Sequence, residues 1–138
     1  MKVFFDTCVY AAESLLGSGA AQMLEATQRA SWRIVASDYL LDELDRVLVV
    51  KLGFSNRLAQ LLRRRIVRRS SLVEVPASRH AAPRDPADSP ILQAALAAGA
   101  DYLVTNDVEL LALNPYESLR IVAMADYYRL LENEGLLP

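Results

Sequence analysis

One cysteine and one histidine in 138 residues set aside several kinds of chemistry at once. A lone Cys8 cannot make an intrachain disulfide or a cysteine-based zinc cluster, and a reducing compartment suits it. Nothing in the sequence ties Cys8 to His80 as a nucleophile and its base, so Cys8 reads as core filler. Glycine and proline are scarce, at 5 and 6 residues, which excludes collagen-like and low-complexity character. No apolar run reaches the roughly 18 residues of a membrane span. The amino terminus carries Lys2 and then an apolar stretch broken by Asp6, without a cleavage-site pattern, so it makes a poor signal peptide. A cytoplasmic protein without membrane attachment is the expectation. Excess charge is lacking too. The formal net charge is -2, so a nucleic acid would have to be held by a local basic patch or by metal.

What the chain does contain is apolar material for one core. Hydrophobic residues make up 53% and charged residues 23%, and the length fits a single domain spanning 1–138. Short apolar runs alternate with helical patterns. Strands are expected at Val3–Phe5, Arg33–Ala36, Leu72–Val75, Tyr102–Thr105 and Leu119–Val122. Residues 9–30 read as helix interrupted at Gly17-Ser18-Gly19. A helix capped by Ser37 or Asp38 runs to about Lys51, with Leu40, Leu44, Val47 and Leu48 at core spacing and Gly53 beyond it. Further helices are expected at Asn56–Arg69, Ile91–Ala98, Val108–Leu113 and Ala125–Asn133, with a surface loop from Pro76 to Pro90. Strands alternating with helices, and no internal repeat, point to a doubly wound α/β sandwich with Val3–Phe5 as its central strand.

Four acids stand where such a chain passes from strand to helix: Asp6, Glu43, Asp88 and Asp107. Ligands of open parallel sheets sit outside the carboxyl ends of the strands, so these acids can converge. Two carboxylates about 4 Å apart repel by roughly 4 kcal/mol at an effective dielectric near 20. A convergent set must therefore hold protons or bind a hard cation, and Mg²⁺ or Mn²⁺ suits oxygen donors. Each acid also has a plainer reading. Asp6, Asp88 and Asp107 can cap helices, and Asp101 belongs at the amino end of its strand, away from the crevice. At about 100° per residue Asp42 lies opposite the apolar stripe, while Glu43 and Asp45 both flank it; periodicity does not choose between them. The run Arg63, Arg64, Arg65, Arg68, Arg69 reads first as a solvated helix face, with phosphate contact by Arg63, Arg64 and Arg68 as its functional alternative.

The chain resembles PIN domains, in particular bacterial PIN-family toxin components related to VapC-type ribonucleases. The matching text is Val3-Phe4-Phe5-Asp6-Thr7, the segment from Ser37 through Leu44, Arg84-Asp85-Pro86-Ala87-Asp88-Ser89-Pro90-Ile91-Leu92, and Gly99 through Asp107. The resemblance implies a Rossmann-like sheet of about five parallel strands in the order 3-2-1-4-5. It also implies a metal-dependent endoribonuclease, with Asp6, Glu43, Asp88 and Asp107 as catalytic and metal-holding acids for one or two Mg²⁺ or Mn²⁺ ions. Matched by motif, Glu43 is chosen over Asp45. Thr7, Thr105 and Asn106 become groups that orient carboxylates, and Asp85 an outer acid. The implied partners are an RNA substrate and a cognate antitoxin protein of a type II toxin-antitoxin system, with a homodimer as a family-level expectation. A PIN-fold protein that binds RNA or a partner without cutting is the alternative. A phosphatase of the haloacid dehalogenase type would need a second acid two residues after Asp6, where Cys8 stands.

Overall fold

The computed structural model describes residues 1–15, 18–74 and 85–137. The expected features at Gly17, at residues 75–84 and at His80 therefore lie outside the described residues. Five strands form one parallel sheet: β1 (Lys2–Phe5), β2 (Arg33–Ser37), β3 (Ser71–Val73), β4 (Tyr102–Val104) and β5 (Arg120–Val122), in the order β3-β2-β1-β4-β5. The expected order 3-2-1-4-5 is the observed one. Val3, Phe4 and Phe5 are fully buried, as a central strand covered on both faces requires.

Seven helices accompany the sheet among the described residues: α1 (Thr7–Leu15), α2 (Ser18–Arg29), α3 (Asp38–Arg46), α4 (Asn56–Arg68), α5 (Pro90–Ala97), α6 (Val108–Leu111) and α7 (Met124–Asn133). Ser37 caps α3 by accepting from the Leu40 amide at 3.1 Å, and Ser55 does the same for α4 through Leu58. The helix expected to reach Lys51 instead widens after Arg46 into a π-helical turn over Val47–Lys51, where the Leu52 amide donates to the Val47 carbonyl. Three valines in that turn are poor helix formers. The wider turn keeps Leu48 fully buried while Val50 is 72% exposed. Gly99 ends the α5 segment at φ 68°, a left-handed conformation that favours glycine, and the next strand follows at once.

Aromatic rings join the two ends of the chain in the core. Phe5 meets Tyr127 edge-on at 5.6 Å between ring centroids and Tyr10 at 6.2 Å. The Tyr127 hydroxyl is 2.6 Å from Thr27 Oγ1, which locks α7 onto α2. At the amino edge of the sheet, Asp101 accepts from the Lys2 amide at 2.8 Å; this is the structural role its position before the strand predicted. At the carboxyl edge, β1 and β4 leave in opposite directions across the sheet order, which opens the crevice where doubly wound proteins place ligands.

Candidate active site

A cleft of about 440 Å³ opens at that edge, and Asp6, Glu43 and Asp107 all line it, with Thr7, Cys8, Tyr39, Asn106 and the first residues of α5. Asp6 follows directly on β1, and its amide donates to the Val104 carbonyl of β4, so the two central strands present it together. The residue is only 9% exposed. Oδ1 accepts from the Thr7 amide at 2.7 Å and the Thr7 hydroxyl at 3.3 Å, and Oδ2 accepts from the Thr105 hydroxyl at 2.7 Å. Burial raises the carboxyl above its ordinary pKa of 3.8 and the charge of Asp107 adds to this, while the bonds from Thr105 and Thr7 pull it back. Cap and crevice readings are thus compatible here, since the same carboxylate starts α1 and faces the cleft.

Thr105 connects the two acids at the centre. While donating to Asp6, its oxygen accepts from the Asp107 amide at 3.0 Å. Asp107 is exposed and caps α6, with Oδ1 accepting from the Glu109 amide at 2.9 Å. Asn106 lines the cleft with its Oδ1 accepting from the Met124 amide at 3.0 Å, which ties the loop after β4 to the start of α7. Glu43 comes from the second turn of α3 and carries a hydrogen bond with Tyr39, whose hydroxyl is held above its ordinary pKa by burial and by the Glu43 charge. Asp45 is elsewhere. Arg63 holds it at 2.6 Å and Asp42 at 3.1 Å, so α4 takes the two neighbouring acids while Glu43 keeps the cleft.

Three expectations need correction or adjustment. Asp85, expected as an outer acid, is exposed and caps the short 3-10 turn Pro86–Asp88, accepting from the Ala87 amide at 3.0 Å. Asp88 is the last residue of that turn and caps nothing, because Ser89 stands at the cap of α5; the wall of the cleft here is Ser89, Pro90 and Ile91, with Asp88 one residue outside it. Arg63 is not a free cation, as its two aspartates show, whereas Arg64 and Arg68 have no carboxylate partner among the described residues. Cys8 and Tyr39 line the cleft although neither was expected there; Cys8 follows Asp6 by two residues on α1, a spacing that could have signalled it. Burial and the Asp6 charge keep the Cys8 thiol protonated, against a nucleophilic role.

Among the described residues no three His, Cys, Asp or Glu side chains stand close enough to share one ion. The donor set nonetheless suits a hard cation. Asp6 is buried and its ionised form is disfavoured by burial and by Asp107, so a divalent cation bound there would favour that ionised form.

An open parallel sheet with carboxylates at its switch-point crevice is the class of protein that these features define. A family model for the PIN domain matches residues 2–109, and the chain belongs to that family. Its fold is similar to that of a chain in the crystal structure of VapBC2 from Rickettsia felis bound to a DNA fragment from their promoter. The TM-score is 0.63 at 16% sequence identity, covering 89% of this chain and 98% of that one. At that identity the likeness is one of fold. Curated proteins gave no sequence match.

Proposed function

We propose that this PIN-domain protein is a metal-dependent endoribonuclease and the toxin component of a type II toxin-antitoxin system. The observation that carries the reading is that Asp6, Glu43 and Asp107, from three separate elements, line one cleft at the carboxyl edge of a PIN-family sheet. The motif likeness to VapC-type toxins and the fold shared with VapBC2 support the toxin role.

Asp6, Glu43 and Asp107 of the cleft, with Asp88 beside its Ser89 wall, are the residues that would hold one or two Mg²⁺ or Mn²⁺ ions, although no three of them stand close enough to share one ion as placed. When bound, such an ion supplies Lewis-acid polarisation of a phosphoryl oxygen and neutralises developing charge. The chain's own residues prepare the site. Thr105 and Thr7 fix both oxygens of Asp6 by hydrogen bonds, and Thr105 sets the backbone of Asp107. Tyr39 orients Glu43. Pro90 and Ile91 form an apolar wall that limits water on one side of the cleft. RNA fits as substrate because its phosphates would meet metal-neutralised carboxylates, and Arg64, which has no carboxylate partner among the described residues, offers a further cation on α4.

Purified protein incubated with single-stranded RNA and Mn²⁺ should cut it, and cutting should stop in EDTA and in Asp6→Asn and Asp88→Asn. Unchanged cutting in those variants would overturn the metal-site assignment. An RNA-binding protein that never cuts under these conditions is the non-cleaving alternative. Growth arrest on expression, relieved by the product of a neighbouring gene, tests the toxin role separately.

A further inference from the structure

A second pocket, of about 340 Å³, lies at the opposite edge of the sheet, lined by Ser31, Trp32 and Arg33 from the start of β2 and by Arg68 and Ser71 around the end of α4 and the start of β3. The five residues of β2, at about 3.3 Å each, put roughly 15 Å between it and the acid cleft. A group seated here is therefore not at the scissile bond.

Its charge is unusual for a chain of net charge -2. Arg69 also lines it, but Glu13 neutralises that guanidinium in a two-point contact. Arg33 and Arg68 are exposed and have no carboxylate partner among the described residues; Arg68 only donates from Nε to the Arg64 carbonyl at 3.4 Å. The carboxyl end of α4 carries about half a negative charge, which explains Arg68 as a dipole partner but not Arg33, which comes from a strand. Two full cations from different elements outweigh that half charge. Guanidinium forks match phosphate oxygens, and the Ser31 and Ser71 hydroxyls add short donors. The depression is open and its lining mainly polar, as suits an anion at the surface, and the half-buried Trp32 is one of its lining residues.

We propose that this pocket binds the phosphate group of a small phosphate ester, held between Arg33 and Arg68 with its organic part against Trp32. The inference does not depend on the ribonuclease reading.

Trp32 is the chain's only tryptophan, so its fluorescence reports on the pocket. Titration of the full chain in EDTA at constant ionic strength, with inorganic phosphate and separately with adenosine monophosphate, should give a saturable change with half-saturation at about 1 mM or below. Arg33→Gln and Arg68→Gln, both at exposed positions and with folding checked by thermal melt, should each weaken binding by about tenfold or more, while Asp107→Asn should not. The nucleotide should bind more tightly than phosphate, because its organic part adds contact with Trp32; equal binding would overturn the placement of the organic part. The proposal is overturned if neither fluorescence nor calorimetry shows saturation at ten times that concentration, or if matched sodium chloride reproduces the change. It is equally overturned if the arginine variants bind as the parent does, or if only a single-stranded oligonucleotide binds.

Discussion

Asp6 sits between two threonine hydroxyls with almost no exposure to solvent, and its proton is held more tightly in the folded protein than in the unfolded chain. A raised carboxyl pKa contributes stability in full below the ordinary value of 3.8, and that contribution is lost as pH rises through the folded value. Asp6→Asn keeps the shape and removes the charge. In EDTA at pH 7 it should therefore unfold at higher urea than the parent, and the two curves should converge as pH falls to 3.8 and below. Thr105 makes a different prediction. Thr105→Val removes the donor to Asp6 and the acceptor for the Asp107 amide at once. RNA cleavage should fall by roughly 10–100-fold, as when groups orienting metal-holding carboxylates are lost. Thr105→Ser, which keeps the hydroxyl, should recover most of it, an outcome that mere loss of packing would not give.

Among the elements, α4 does two jobs with its arginines, and neither is the uniform solvated face that their spacing suggested. Arg63 ties α4 to α3 through Asp42 and Asp45. Arg69 ties the end of α4 to α1, with its side chain 8% exposed and that of Glu13 9% exposed. Its guanidinium also lies 5.7 Å from the centre of the Tyr10 ring. Removing one partner of a buried pair strands the other. Glu13→Ala should cost roughly 3–5 kcal/mol in urea denaturation, whereas Glu13→Leu with Arg69→Met should cost far less, because no uncompensated charge remains. Helix periodicity cannot show this, since a buried arginine and an exposed one have the same place in the pattern.

For the whole molecule, the carboxyl edge of the sheet gathers negative charge and the amino edge beside β2 gathers positive charge. A cation that binds only the folded state stabilises it by RT ln(1 + [L]/Kd), about 2.7 kcal/mol at a concentration of 100 times Kd. Mn²⁺ should therefore raise the melting temperature of the parent protein and EDTA should reverse it, with little effect in Asp6→Asn. The same variant is thus expected to be the more stable protein without metal and the less stable one with it, an inversion that calorimetry can read directly.

Much of this was legible in the chain itself. Buried runs such as Val3–Phe5 and Tyr102–Val104, each followed by an acid and a helix, determine a parallel α/β sheet, because only a strand covered on both faces is apolar throughout. The cap and stop residues Ser37, Ser55 and Gly99 acted locally and were legible for that reason. Tertiary structure alone decided the rest. Motif likeness pointed to Glu43 where periodicity did not, but that Asp45 is held away from the cleft depends on Arg63 reaching across from another helix, and Asp85 and Asp88 take their places from a 3-10 turn over Pro86–Asp88. That Thr105 joins Asp6 to Asp107 also depends on β1 and β4 lying side by side. Those outcomes are set by groups far apart along the chain, whose distances no local pattern encodes.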